Sequence, residues 1–463
     1  MENSGFLSNI SQSIGFTEPQ LKLLLSILAS YILAFVHRKY IYNKESSLQH
    51  LFFITSGFSI GYWNYGNDIF HCVFTIFCTH CSFMLLQGSN INVAIVFIFN
   101  MMYLITGYIY TSTESYDITW TMPQCVITLR LIAIAFDLYD GRKPIEKLSH
   151  ESKKLALVKR PSILEIYGHS FFPSSFLVGP QISMRRYNDF VDGKFNSKNG
   201  PPDSVSASLK SLILGFLYSI IYQQLGTIVS NDYLISEEFG QKSFFIRMVL
   251  LGVWGKYTLY KYIAIWLLTE GSCTLFGITH NGLNEKGLVK WDALSNVNLL
   301  TFEGSLGIKD FVKSFNLTTN AWLAQYIYKR VKFLGSKHAS QFVSLFFLGI
   351  WHGYHEGYYV CFLFEFGTMV MEADIQTVIN SDESLNQFFS ISIVQILAKI
   401  LRWIYTFLMT AWCWTSFVLL KYNKFRIAYA NLNYIGVKMF LFWILIYGPF
   451  LRLMAKTMSR KNK

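Results

Sequence analysis

Long apolar stretches alternate with short polar connections along this chain. Residues 23–36, 69–86, 93–110, 212–229 and 439–451 are almost free of charge, and each is flanked by polar or charged positions. Crossing ~30 Å of hydrocarbon takes roughly 20 mostly apolar residues as a helix, which satisfies its own backbone in lipid. The pattern predicts an all-α polytopic membrane protein. Several runs fall short of a full crossing, which predicts tilted, re-entrant or half-buried segments. The first run starts near residue 21 with neither a basic stretch nor a cleavage site before it, so it reads as a first span and not a removable signal. Residues 391–420 are long for one crossing, about 45 Å at helical rise, and leave open one tilted helix or two short ones.

Two polar stretches interrupt the pattern. "NSKNGPPDS" at 196–204 is a loop break. Residues 278–318 carry Asn, Gly and charge too densely to cross lipid. Their apolar positions Trp291, Leu299, Leu300, Phe311 and Phe315 predict an interfacial loop region held on the membrane surface. With no internal repeat or low-complexity tract, residues 1–463 read as a single membrane-embedded domain. It carries a short N-terminal segment at 1–20 and a basic tail at 454–463.

Composition agrees with this reading: 52% of residues are hydrophobic, 17% aromatic and only 15% charged, against about 25% charged in soluble proteins. The net charge of +12 is unevenly placed. Residues 142–160 hold seven Lys/Arg and two Glu, and residues 329–337 hold four Lys/Arg, whereas 371–387 hold four acids and no base. By the positive-inside rule the first two segments face the cytosol and the third the opposite side. A nucleic-acid role would need basic residues interleaved with aromatics on a solvated domain. These lie instead in short loops beside spans, which points to topology, anionic lipid or a phosphorylated co-substrate. The seven cysteines are scattered without zinc spacing and read as small buried hydrophobes.

Charges also sit inside apolar runs: Arg130 in 126–136, Lys256 and Lys261 in 248–268, Lys399 and Arg402 in 391–420. Either they snorkel toward the interface, or they line a water-filled interior.

The strongest anomaly is "GIWHGYHEGYYVCFLFEF" at 349–366, where His352, His355 and Glu356 interrupt an apolar segment. In continuous helical geometry the three share one face, at i, i+3 and i+4. One reading is a hydrogen-bonded polar face between helices. A second is a metal site, but His-x-x-His-Glu is neither zinc-helix motif and no second histidine box appears. A third is general-base catalysis, in which a buried, neutral imidazole takes a proton from an alcohol. That chemistry needs an activated acyl donor and a group to meet the developing oxyanion, and "SFNLTTNAW" at 314–322 offers the amides of Asn316 and Asn320. Asn316-Leu317-Thr318 and Asn9-Ile10-Ser11 are also formal glycosylation sequons, the first excluded if the basic loop after it is cytosolic.

These residues resemble the membrane-bound O-acyltransferase family, and within it the lysophosphatidylcholine branch of the lysophospholipid acyltransferases. The resemblance runs through "RLIAIAFDLYDGRK" (130–143), "SFLVGPQISMRRYNDFV" (175–191), "GLNEKGLVKWDALSNVN" (282–298), "SFNLTTNAWLAQYIYKRVKFLG" (314–335) and "WHGYHEGYYVCFLFEF" (351–366), in that order. It implies that His352 is the catalytic histidine and Asn316 its paired asparagine, 36 residues before it. Asn320 would then be a supporting polar residue, and Glu356 departs from the pattern expected of close relatives. The implied reaction moves a fatty acyl chain from acyl-CoA, a co-substrate and not a bound cofactor, to a lysophospholipid hydroxyl. No metal or covalent acyl-enzyme is needed. Lys329, Arg330 and Lys332 would meet the CoA phosphates, with positive-inside topology as the plain alternative, and Trp322 would line the donor path. The implied fold is a distorted bundle of about eleven transmembrane or re-entrant helices enclosing a catalytic tunnel. The implied location is the endoplasmic reticulum membrane, and Arg460 and Lys461 in the tail resemble a dilysine-type retrieval signal. Two other readings stand beside it: an O-acyltransferase for a sterol, diacylglycerol or protein acceptor, and a proton-coupled transporter. The transporter would show two related halves with broken helices, and no such repeat is visible.

Overall fold

A computed structural model describes residues 6–13, 15–113, 118–196 and 200–461. Asn462 and Lys463 lie outside the described residues, as do the side chains of Arg460 and Lys461, so the retrieval signal falls beyond it. Residues 197–199 of the 196–204 loop are also outside. Among the described residues the fold is helical, with two isolated β-bridges, Leu283 to Val289 and Val297 to Phe315.

Seven helical segments are long and apolar enough to cross a membrane: Glu18–Ile41, Ser46–Leu86, Asn90–Thr111, Thr121–Asp140, Val205–Leu234, Ser392–Leu419 and Ile435–Met458. The protein is a multi-pass membrane protein. The region left open at 391–420 is one helix of 28 residues. No proline or glycine interrupts it, so nothing in its backbone calls for a break.

The chain forms two compact units. The first comprises Met1–Tyr218, Ile263–Asn296 and Thr318–Arg330. Its core is aromatic: Phe53, Phe172 and Phe276 pack ring to ring at 4.9–6.0 Å, with His37 among them. The Thr121–Asp140 helix is buried along most of its length. Arg130 therefore cannot snorkel to an interface. Its guanidinium donates to the backbone carbonyls of His169, Ser170, Ser175 and Pro180 and to Ser175 Oγ, at 2.7–3.2 Å. The carbonyls of His169 and Ser170 stand at the end of the Ile163–Ser170 helix and that of Pro180 in the irregular stretch after it, where a buried carbonyl needs a donor, while the Ser175 carbonyl also accepts the Gly179 N–H at 3.0 Å.

The second unit comprises Ser219–Tyr262, Val297–Leu317 and Val331–Lys463. Its core gathers Trp254, Met371, Trp412, Phe425, Tyr429 and Phe440. The helices Glu356–Ser381 and Ser392–Leu419 pack against each other. At Gly357 a Cβ would stand 2.1 Å from the Ser416 carbonyl oxygen, so only glycine permits this approach. The Gly357 N–H donates to the Leu420 carbonyl at 2.9 Å and closes the junction. Lys256 pairs with Glu303 at 2.7 Å, Arg402 donates to the Leu306 carbonyl, and Lys399 is exposed.

The 278–318 region is loop with two short helices, Leu299–Glu303 and Ile308–Val312. Phe302, Phe311 and Phe315 stack on one another at 5.3–6.0 Å. Leu300 projects from the protein, 90% exposed.

Candidate active site

Ser336 caps the helix Lys337–His352, whose last residue is His352. Gly353 follows with φ 141° and ψ −172°, a conformation open to glycine and strained for any side chain. The next helix, Glu356–Ser381, has His355 at its N-cap position. The shared helical face expected for His352, His355 and Glu356 is therefore not formed, because the backbone turns at Gly353 between them. Glu356 is exposed, and its Oε1 accepts the Tyr422 backbone N–H at 2.7 Å. Its carboxylate thus meets the first backbone N–H of the Tyr422–Asn431 helix. His355 is buried against Tyr354, with 4.5 Å between ring centroids.

His352 is surrounded by rings. Trp351 lies 4.6 Å away, Phe417 4.9 Å, Tyr358 5.5 Å and Phe362 5.8 Å, centroid to centroid. Phe417 stacks on Trp414 at 4.2 Å, and Trp414 meets the edge of Phe315 at 6.1 Å. Phe315 precedes Asn316, so two intervening rings connect the segment carrying the asparagine to the histidine. Asn316 has φ 53°, a left-handed conformation that asparagine tolerates better than most residues. The residues before it are pinned by the Val297–Phe315 bridge and by the Asn298 N–H, which donates to the Ser314 carbonyl at 2.9 Å.

The remaining predicted residues lie in the first unit, apart from Lys332, which is in the second unit and exposed. Thr318 heads the stretch with its N–H and hydroxyl on Asn296 Oδ1, at 3.0 and 2.6 Å. Asn320 is half-buried. Trp322 Nε1 donates to the Leu129 carbonyl at 2.9 Å, and Tyr326 donates to Asp137 at 2.9 Å. Lys329 Nζ lies 2.9 Å from Glu151 Oε2, and Arg330 donates through Nη1 to Asp140 at 3.0 Å. The hydrogen bond from Lys329 pulls the Glu151 carboxyl down to about 2. Both cations are thus paired with carboxylates, and these contacts join Lys329 and Arg330 to the 140–151 stretch of the first unit.

Sequence reasoning missed Trp414 and Phe417. They resemble ordinary aromatic residues of an apolar helix, and no local signal separates Phe417, which meets His352, or Trp414, which stacks on Phe417, from the others.

The model of the membrane-bound O-acyltransferase family matches residues 105–415, which include Asn316 and His352. The chain belongs to the membrane-bound O-acyltransferase family. Lysophospholipid acyltransferase 5 of Rattus norvegicus is 40% identical over 439 residues, covering 94% of this chain and 90% of the relative. The protein of the same name in Drosophila melanogaster is 40% identical over 97% of this chain and 91% of its own length. That of Caenorhabditis elegans is 31% identical over 98% and 96%. As a member of the family, the chain is an O-acyltransferase enzyme of the membrane.

Proposed function

We propose that the chain transfers a fatty acyl group from acyl-CoA to the free sn-2 hydroxyl of a lysophospholipid such as lysophosphatidylcholine, re-forming a diacyl phospholipid. The relatives' names point to lysophospholipid acylation. The observation that carries the site assignment is the ring contact chain from His352 through Phe417 and Trp414 to Phe315, next to Asn316.

In this reading His352 is the general base. Its imidazole accepts the hydroxyl proton while the alcohol oxygen attacks the thioester carbonyl. Asn316 donates its amide to the carbonyl oxygen as negative charge develops there, the kind of fixed dipole that stabilises such a transition state most. Collapse expels the CoA thiolate, which takes the proton from the imidazolium. Ester and free CoA leave, and the histidine is neutral again. The rings around His352 would limit the access of water, which otherwise competes as acceptor.

Asn320 and Trp322 would support the donor path. Lys329, Arg330 and Lys332 would bind CoA phosphates, the first two by exchanging Glu151 and Asp140 for the phosphate. The basic segments then face the cytosol, where CoA is supplied, in the endoplasmic reticulum membrane. A single catalytic domain of about eleven transmembrane or re-entrant helices enclosing a tunnel belongs to the same reading.

The test uses membranes expressing the full chain, labelled acyl-CoA and a panel of lysolipids, sterol and diacylglycerol. Transfer to lysophosphatidylcholine is expected, and His352→Ala should lower it by about 10²–10⁴-fold at equal membrane abundance while His355→Ala retains most of it. Product with only a sterol or diacylglycerol would overturn the acceptor. Equal loss in both variants would overturn the base.

A further inference from the structure

Along the Ser392–Leu419 helix, Trp403, Phe407, Thr410, Trp414 and Phe417 recur at three- and four-residue spacing and share one face. Phe417 is the end of this face that meets His352. At the other end, Trp403, Phe407 and Thr410 line an open cleft with Lys256, Phe302 and Glu303. The cleft is charged and aromatic. Lys256 Nζ lies 2.7 Å from Glu303 Oε2 and 4.2 Å from the centroid of the Phe302 ring. Trp403 Nε1 donates to the Glu303 carbonyl and holds that residue at the cleft.

Among the described residues, two donors on this face have no acceptor. The Thr410 hydroxyl, on a residue 8% exposed, is buried and makes no hydrogen bond among the described residues. The buried indole N–H of Trp414, one turn nearer His352, makes none either. A buried donor without a partner forfeits its hydration, so two on one face call for acceptors from a bound molecule.

The geometry points to a head-group site: the cleft takes the zwitterionic head group of the lysophospholipid acceptor. Thr410 Oγ1 and Trp414 Nε1 donate to its glycerophosphate oxygens, Lys256 faces the phosphate and Glu303 faces the ammonium. The inference rests on the acceptor being a lysophospholipid and adds the residues that select among such acceptors. From Phe417 back to Thr410 is about 10 Å of helical rise, comparable to the reach from a glycerol hydroxyl to the nitrogen of an extended phosphocholine head group. Paired opposite charges bordered by rings complement a zwitterion, because ring faces and a carboxylate both attract an ammonium group. A head group without a cation would leave Glu303 facing no positive group of the ligand, with Lys256 alone to meet both negative charges.

The experiment compares wild-type, Glu303→Gln, Thr410→Val and Trp414→Phe full-length protein in membranes at saturating acyl-CoA. Acceptors are lysophosphatidylcholine and lysophosphatidylethanolamine against the anionic lysophosphatidylglycerol. Glu303→Gln should raise KM for both zwitterionic acceptors about tenfold, leave KM for acyl-CoA unchanged and narrow the preference over the anionic acceptor. Thr410→Val and Trp414→Phe should raise KM for all three acceptors. Unchanged acceptor KM in all three variants, or parallel loss for acyl-CoA and acceptor, would overturn the head-group site while leaving the acyltransfer reading intact. Wild-type protein that acylates none of the lysolipids would overturn the acceptor class itself, and the head-group site with it. If Glu303→Gln does not reach the membrane, Thr410→Val and Trp414→Phe keep the ion pair and decide the question.

Discussion

The ring of Phe417 meets the imidazole of His352 edge-on, with 4.9 Å between centroids and 82° between planes. Phe417 belongs to the Ser392–Leu419 helix and His352 to the end of Lys337–His352, so the contact sets the imidazole against a second helix. Leucine at 417 would keep apolar bulk and lose the flat edge. Phe417→Leu should lower kcat by about 10- to 100-fold, the scale expected when a reacting group shifts by a fraction of its bond reach. Rates normalised to immunoblot abundance check it, and an unchanged kcat would show that the ring does not position His352.

Asn316 adopts φ 53°, so its backbone and its amide make separable contributions. Asn316→Gly keeps the left-handed backbone at little cost and removes only the amide. Transfer should fall by about 10²-fold, the scale for losing one oxyanion donor. Near-normal activity in the glycine variant would limit Asn316 to a conformational role.

Arg130 satisfies four backbone carbonyls inside the first unit. Arg130→Met fills similar volume but removes the donor from the carbonyls of His169, Ser170 and Pro180, at about 1–3 kcal/mol for each that finds no water, while Ser175 keeps the Gly179 N–H. The variant should lose most of its thermal resistance in detergent and much of its membrane yield. A melting temperature within a degree or two of wild type would contradict the assignment.

Lys329 is paired with Glu151, whose carboxyl is held near 2 by the hydrogen bond from Lys329. A carboxyl lowered in the folded state contributes above its ordinary range and loses that contribution only as pH falls toward the lowered value. The pair therefore stays intact at neutral pH and competes with CoA phosphate for Lys329. Glu151→Gln should lower KM for acyl-CoA and Lys329→Met should raise it, each severalfold, with the differences shrinking in high salt as exposed charges are screened. Steady-state kinetics at two ionic strengths decide it, and no change in either variant would remove Lys329 from the CoA site.

Much of the membrane architecture was legible from hydropathy, because lipid imposes length and apolarity on each crossing whatever the packing inside. The runs 23–36, 93–110 and 212–229 each lie within a longer helix of the structure. The Thr121–Asp140 helix was harder to read, since Arg130 interrupts its apolar run and the carbonyls that neutralise it come from residues 169–180. His352 was legible as an ionisable group in an apolar run. Its relation to His355 and Glu356 was not legible, because helical periodicity does not show the backbone break at Gly353.

The sequence by itself determined a helical membrane protein of the acyltransferase type, with His352 and Asn316 as its candidate pair. It did so because spans and short motifs are local properties, written in consecutive residues. Only the tertiary structure decided that the helix stops at His352, that Glu356 serves Tyr422, and that Trp414 and Phe417 connect Phe315 to the histidine. Those outcomes depend on side chains dozens of residues apart meeting in one place, and on a backbone turn that glycine permits but does not require. Contacts of that kind have no local signature in the chain.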